Sequence, residues 1–181
     1  MGMSDTTYLW RGAYDGGYRE IDLVEDGLYL SGDSFTVEDL RRRKIRAVIS
    51  VARECPDDRL AMDGSIQSTH FAFPDHVIMN LGMVESALRT LRALRRRGTV
   101  LVHCGIGVSR SPTIIALFWM AEGKVESYEE GIAKLKRIRP CVSPNRIVDG
   151  SVIGVVKRLR REWVGSDVRF EKVEVEEGRR S

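Results

Sequence analysis

Apolar and polar positions alternate along the chain with two different periods. Short apolar runs, typical of buried strands, occur at residues 28–30, 46–51, 69–73 and 99–103. Apolar residues that recur every three or four positions predict helices at residues 83–97, 112–122, 127–138 and 145–163. Thr36, followed three residues later by Asp39, predicts the N-cap of a further short helix. Strands that alternate with helices predict an α/β architecture around a largely parallel sheet.

The same pattern divides the chain into three parts. Residues 1–20 are rich in Gly, Tyr and Thr without a clear period, and we assign residues 1–26 to an N-terminal arm. Residues 27–164 form a single predicted domain, because 181 residues are enough for one well-buried core and few for two. Residues 165–181 form a charged C-terminal tail, which we expect to be mobile.

The strand at 99–103 and the helix at 112–122 are joined by a glycine-containing loop. Such a loop curls with its backbone N–H groups inward above a helix N-terminus, which makes a concavity for a tetrahedral oxyanion. Gly105 and Gly107 permit the tight curl, and the planar fork of Arg110 can hold two phosphate oxygens at once. Cys104 begins the loop, and the amides, the helix dipole and Arg110 all favour its thiolate form. We therefore predict a nucleophilic cysteine at the floor of a phosphate-binding loop.

The pattern His103-Cys104-x-x-Gly107-x-x-Arg110-Ser111 resembles the signature of the Cys-based protein phosphatases. From about residue 27 to residue 159 the chain is similar to their dual-specificity branch, notably in Gly-Leu-Tyr-Leu-Ser-Gly at 27–32 and Arg-Pro-Cys-Val-Ser-Pro-Asn at 139–145. The resemblance implies a twisted sheet of about five strands, largely parallel, flanked by helices on both sides.

The resemblance also implies a role for each residue of the loop. Cys104 is the nucleophile, Ser111 donates a hydrogen bond to the sulfur as it leaves, and His103 supports the loop and the thiolate. Asn145 is expected to brace the site from behind. The residues expected to bind the phosphate oxygens are Gly105, Ile106, Gly107, Val108, Ser109 and Arg110.

A phosphate ester also needs a general acid, because the departing oxygen must receive a proton. In the resembled family an Asp supplies it from a separate loop after a strand, and Asp75 in Phe-Ala-Phe-Pro-Asp, with Asn80 five residues later, fits that place. Asp57, Asp58 and Asp63 are the competing candidates, in a polar stretch with no strand leading to the site.

These features predict a phosphatase that acts on phosphotyrosine in proteins, with phosphoserine and phosphothreonine left open. Phosphoinositide phosphatases commonly carry lysines in the loop, where this chain has Ile106 and Val108, and RNA 5′-triphosphatases have Thr in place of Ser111. A phosphate-binding pseudoenzyme would lack the Cys, the Arg or the acid, and a rhodanese-type sulfur transfer would give Arg110 and Asp75 no role. We expect no metal and no cofactor, since no metal-ligand spacing is present.

Composition narrows the partners and the compartment. The net charge of +3 is mild, and the arginine-rich runs fall near helix C-termini, where cations meet the helix dipole, so we expect no nucleic-acid partner. No apolar run is long enough to span a bilayer, and we expect no membrane partner. The odd number of cysteines, three, indicates a reducing compartment and a cytoplasmic location, with Cys55 and Cys141 left open as partners of an oxidised Cys104. The scarcity of Asn and Gln is typical of a thermophilic microorganism, although a GC-rich genome would bias the composition similarly.

Overall fold

A computed structural model describes residues 20–56, 60, 64–75, 79–144 and 148–177. Five strands form one sheet in the order β1-β2-β5-β3-β4. The strands are β1 Asp22–Glu25, β2 Leu28–Ser31, β3 Ala47–Ser50, β4 Gln67–His70 and β5 Val100–His103. The helices are α1 Val37–Arg42, α2 Leu81–Arg95, α3 Arg110–Ala121, α4 Tyr128–Ile138 and α5 Gly150–Glu177.

Four of the strands are parallel, and only the edge strand β1 runs antiparallel to its neighbour β2. The register places Ser31 and Ser50 on either side of His103, so β2, β5 and β3 end level with one another. Ligands of open α/β sheets bind at this carboxyl edge. The predicted fold class, a largely parallel five-stranded sheet flanked by helices, is confirmed.

The alternation of side chains along the strands supplies two cores. Leu28, Ile49 and Val102 pack in the larger core, which contains residues of α2, α3, α4 and α5. Val48 and Leu101 point to the other face, into a smaller core that also contains residues of α1. All twelve residues of α3 are buried, and this helix packs against α2, α4, α5 and the sheet, so it lies at the centre of the helical layer.

The strand β1 was absent from the sequence prediction, which placed residues 1–26 in an arm. Asp22–Glu25 instead pairs with β2, through a turn at Asp26 and Gly27 in which Gly27 adopts a φ of +68°. An Asp-Gly pair between two short strands is a recognised hairpin signal and could have revealed β1. The sheet therefore begins inside the predicted arm. The segment Asp22–Glu25 has no apolar run that predicts a strand, and it becomes a strand because it pairs with β2.

Other boundaries move by a few residues. The strand predicted at 69–73 is Gln67–His70, and the helix predicted at 83–97 begins at Leu81, because the Asn80 side chain caps it through the Met83 N–H at 3.0 Å. The last helix reaches Glu177, beyond the predicted end at residue 163, while its predicted start at residue 145 lies outside the described residues.

Within the described part of the chain, no helix is both long and apolar enough to cross a membrane.

Candidate active site

The loop of residues 104–109 joins the central strand β5 to the buried helix α3 at the carboxyl edge of the sheet. Cys104 follows β5 directly and is 1% exposed. Arg110 begins α3, so the loop lies at the N-terminus of a twelve-residue helix, where backbone N–H groups lack helical partners and the dipole favours an anion. Strand, loop and helix thus have the predicted order, with the helix starting two residues earlier than expected.

Four consecutive carbonyl groups of this loop each accept a hydrogen bond from outside it. Because the C=O and N–H of a trans peptide point in opposite directions, the N–H groups that follow these carbonyls point away from those donors, toward the inner side of the loop. The bonds are Asp33 N–H to Gly105 at 3.0 Å, Arg139 Nη2 to Ile106 at 3.2 Å, Arg139 Nε to Gly107 at 3.1 Å, and Ser143 N–H to Val108 at 2.9 Å.

The loop approaches β2 so closely that two glycines leave little or no space for a Cβ atom. Gly107 has a φ of +70°, and a Cβ added to it would lie 2.6 Å from the carbonyl carbon of Ser31. A Cβ on Gly32 would lie 3.0 Å from the carbonyl oxygen of Gly105. The absence of these side chains lets the loop pack against the end of β2, where the Asp33 N–H bonds to the Gly105 carbonyl.

Ser111 and His103, two of the predicted site residues, have different surroundings. Ser111, fully buried in the first turn of α3, donates a hydrogen bond from Oγ to the Cys104 sulfur at 3.2 Å. His103 is also fully buried and lies on the side of the smaller core, where its ring meets Phe35 edge-on with centroids 4.9 Å apart. The hydrogen bond from Ser111 is suited to stabilising a sulfur anion, whereas the ring of His103 packs on the side of the smaller core.

Sequence reasoning missed the partner of Arg110. Both carboxylate oxygens of Glu54 accept from Arg110: Nη1 lies 2.8 Å from Oε2, and Nη2 bonds to Oε1. Nη1 also donates to the Phe73 carbonyl at 3.2 Å. Glu54 lies just past β3, whose end is level with that of β5. Because parallel strands place such residues at the same edge of the sheet, this position could have indicated that Glu54 lies near the loop. The bidentate contact fixes the orientation of the guanidinium through its two terminal nitrogens, Nη1 and Nη2.

Burial and charge act in opposite directions on this pair. Arg110 is 4% exposed, while the Glu54 side chain is 45% exposed. Burial raises the pKa of the Glu54 carboxyl, but the hydrogen bonds and charge of Arg110 outweigh it and hold that pKa below its ordinary value. Burial likewise opposes the charge of Arg110, yet Glu54 and the nearby Cys104 keep its pKa above the ordinary value. Arg110 therefore stays a cation in the site.

Asp75 lies on the loop that follows β4, with Oδ2 3.6 Å from Arg110 Nη2. Its side chain is 42% exposed, which leaves it accessible to a substrate and to water. The structure thus places the Asp75 carboxylate close to the Arg110 guanidinium, next to the loop. The competing Asp57, Asp58 and Asp63 lie outside the described residues.

Asn145, expected to brace the site, also lies outside the described residues. Among the residues that are described, no three His, Cys, Asp or Glu side chains are grouped so that they could hold a metal ion.

The other two cysteines differ from Cys104 in their surroundings. Cys55 is buried, with its sulfur 3.6 Å from Asp33 Oδ2. Burial and the nearby carboxylates of Asp33 and Glu54 raise the pKa of the Cys55 thiol, so it stays protonated at neutral pH. Cys141 is partly exposed and follows α4. Of the three, only Cys104 combines the loop, a helix N-terminus and a hydroxyl donor.

Comparison with known proteins agrees with this geometry. Residues 28–153 match the family model described as "Dual specificity phosphatase, catalytic domain". The chain is 24% identical over 163 residues to a Dictyostelium discoideum protein named "Probable rhodanese domain-containing dual specificity protein phosphatase", a match that covers 84% of this chain and 31% of that protein. It is 30% identical over 139 residues to human "Dual specificity protein phosphatase 9", covering 75% of this chain and 36% of that protein. The chain thus spans about a third of the length of these curated relatives.

A solved structure shares the fold. The crystal structure of Tk-PTP in the active form superimposes with a TM-score of 0.59 at 20% sequence identity, and the match covers 78% of this chain and 96% of that chain. At this level of identity the likeness concerns the arrangement of sheet and helices, and the chemistry must be argued from the residues themselves.

Proposed function

The chain belongs to the dual specificity phosphatase family, and we propose that it hydrolyses phosphotyrosine in proteins through Cys104, with phosphoserine and phosphothreonine as further substrates. One observation carries the proposal: the buried Cys104 sulfur accepts a hydrogen bond from Ser111 at 3.2 Å, at the N-terminus of α3 and beside the cation Arg110. A sulfur anion, an oxyanion cradle and a guanidinium in one place serve nucleophilic displacement at phosphorus.

Binding of the phosphate uses the inner side of the loop. The inward N–H groups that follow the four fixed carbonyls supply donors for the phosphoryl oxygens. Arg110 adds its Nε, which is buried and makes no hydrogen bond to the described residues, while Glu54 holds Nη1 and Nη2. The guanidinium is thereby oriented before substrate arrives, which reduces the entropy lost on binding.

In the first chemical step the Cys104 thiolate attacks phosphorus in line, so a sulfur–phosphorus bond forms as the bond to the leaving oxygen breaks. Asp75 gives its proton to that oxygen, and the amides and Arg110 stabilise the charge that develops on the equatorial oxygens. The dephosphorylated hydroxyl group of the substrate leaves, and a cysteinyl phosphate remains.

In the second step a water attacks phosphorus and forms a new phosphorus–oxygen bond, while Asp75, now ionised, accepts a proton from that water. The sulfur–phosphorus bond breaks, inorganic phosphate leaves, and Ser111 donates its hydrogen bond to the sulfur as the thiolate returns. Splitting one displacement into two gives each step a good nucleophile or a good leaving group.

The loop side chains favour a substrate with a single phosphate. Ile106 is 39% exposed at the loop, and neither it nor Val108 carries a charge for additional phosphate groups. An exposed apolar residue beside the phosphate suits an aromatic ring better than the polyphosphorylated head group of an inositol lipid. This supports phosphotyrosine over phosphoinositides.

A substrate panel tests the proposal. Phosphotyrosyl, phosphoseryl and phosphothreonyl peptides, phosphoinositide vesicles and 5′-triphosphate RNA should be compared with the wild type and with Cys104→Ser. We expect release of phosphate from phosphotyrosyl peptide by the wild type, and oxyanion binding without turnover by the variant. Faster phosphate release from the lipid or the RNA than from the phosphotyrosyl peptide would contradict the proposed protein substrate. Turnover by Cys104→Ser near the wild-type rate would contradict the assignment of Cys104 as the nucleophile.

A further inference from the structure

A buried arginine lies on the outer side of the phosphate-binding loop. Arg139, immediately after α4, is 2% exposed. Its Nη2 and Nε donate to the carbonyl oxygens of Ile106 and Gly107, at 3.2 and 3.1 Å. Its Nη1 donates to Asp22 Oδ2 at 2.6 Å and to the Glu20 carbonyl at 3.3 Å. One side chain thus joins the loop to the edge strand β1.

Burial of a guanidinium is unfavourable unless its charge is compensated and its N–H groups are bonded. Asp22 supplies the opposite charge, and the carbonyl oxygens of Ile106, Gly107 and Glu20 accept the remaining hydrogen bonds. An aliphatic residue would fill the space without that cost. A lysine would place a point charge where Arg139 presents a rigid fork aimed at two adjacent carbonyls. The choice of residue therefore matches the geometry of the loop backbone.

We propose that Arg139, held by Asp22, is a positioning residue for the oxyanion site. Its bonds keep the carbonyls of Ile106 and Gly107 outward, and the trans peptide geometry then keeps the N–H groups of Gly107 and Val108 inward, where the phosphate binds. This inference rests on the phosphate-binding role proposed for the loop.

The loop needs such a fixed point because Gly107 lies at its centre. Glycine turns freely between φ values of either sign, so the peptide units on both sides of Gly107 can rotate and lose their inward donors. The two bonds from Arg139 reach both of these peptide units, one through the carbonyl of Ile106 and the other through that of Gly107. Oxyanion affinity therefore depends on a residue that makes no contact with the oxyanion itself.

The test compares Arg139→Lys and Asp22→Asn with Arg137→Lys, an exposed arginine of α4 two residues away. The probe is inorganic tungstate, whose affinity is measured by calorimetry, together with kcat and KM for an aryl phosphate and the melting temperature. For Arg139→Lys we expect at least about 10-fold weaker tungstate binding and a loss in kcat/KM on the order of 10²-fold, the scale of losing one oxyanion donor. Asp22→Asn should lose less in both, and Arg137→Lys should match the wild type.

Wild-type tungstate affinity in folded Arg139→Lys would overturn the proposal. An unchanged KM and an unchanged tungstate affinity in Asp22→Asn would also overturn the proposal. This variant retains Arg139, so it provides the test if Arg139→Lys does not fold. Tungstate binding does not require turnover. A wild type that binds tungstate yet hydrolyses no monoester would refute the proposed function while the comparison of variants still decides the role of Arg139.

Discussion

Replacement of Glu54 by Gln removes the charge from the partner of Arg110 while it preserves the size and one oxygen of the side chain. In the wild type both carboxylate oxygens accept from the guanidinium. In Glu54→Gln one acceptor becomes an NH₂ group that cannot accept from Arg110, so one of the two bonds is lost. Arg110 keeps its charge but loses the bidentate contact that orients it.

The expected change in stability follows from the exposure of the two groups. A hydrogen bond to a charged group contributes about 1.5–3 kcal/mol when it is well shielded from water. The Glu54 side chain is 45% exposed, so solvent screens the interaction and we expect a loss of about 1–2 kcal/mol in the free energy of unfolding. For a domain of this size that corresponds to a decrease in melting temperature of roughly 2–8 °C.

The pH dependence has a definite sign. Arg110 holds the pKa of Glu54 below its ordinary value of 4.5, so the stabilisation is fully present above pH 4.5 and is lost as the pH falls through the lowered pKa. The difference in stability between the wild type and Glu54→Gln should therefore be constant near neutral pH and shrink below pH 4.5. Equilibrium unfolding by urea at a series of pH values measures it.

The kinetic effect should separate turnover from binding. Glu54→Gln leaves the Arg110 cation with one competing negative charge fewer, which offsets the loss of its orientation in oxyanion binding, so tungstate affinity should stay close to that of the wild type. Loss of orientation should lower kcat on the order of 10-fold. A matched control is Glu126→Gln, since Glu126 also makes a bidentate contact with an arginine, Arg160, but on the surface with 79% of its side chain exposed.

A result that would refute this reasoning is a kcat unchanged from the wild type together with a melting temperature no lower than that of Glu126→Gln. The role assigned to Glu54 in turnover would also be wrong if tungstate affinity fell while kcat stayed intact, because its contact with Arg110 would then serve oxyanion binding alone.

The remaining predictions concern three residues around the loop. Asp75→Asn should lose on the order of 10²–10⁴ in kcat with a phenyl phosphate of poor leaving ability and much less with an activated aryl phosphate, and a loss equal across a leaving-group series would place the acid elsewhere. Ser111→Ala should slow the departure of the sulfur more than its attack, so rapid-quench kinetics should show a burst of leaving group before a slow steady state; a linear time course with unchanged kcat would contradict its role. Gly107→Ala should destabilise the fold by more than about 1 kcal/mol and weaken tungstate binding, because its φ is +70° and the Cβ would lie 2.6 Å from Ser31. Gly154→Ala, on α5 with open space around the added Cβ, should be neutral or stabilising in the same urea unfolding, and equal behaviour of the two variants would argue against steric strain at Gly107.

The loop between β5 and α3 could be predicted from the sequence because its determinants are contiguous. Cys104, Gly107, Arg110 and Ser111 lie within eight positions, and the apolar runs on either side specify a strand and a buried helix. Local geometry follows from local pattern in such a segment, since peptide planarity, glycine conformation and helix initiation all act over a few residues. Asp75 required the family resemblance as well, because nothing within its own segment shows that its loop approaches Arg110.

Glu54, Arg139 and Asp22 acquired their importance only in the tertiary structure. Glu54 is 56 residues from Arg110 along the chain, Arg139 is 32 residues from Gly107, and Asp22 is 117 residues from Arg139. Their meeting depends on the strand order β1-β2-β5-β3-β4, which brings segments from across the chain to the same edge of the sheet. Hydrophobic periodicity shows which face of each element is buried but not which elements become neighbours. The sequence alone therefore determined most of the elements and the loop after β5, whereas the packing of distant segments decided that β1 joins the sheet and which charges hold that loop and its arginine in place.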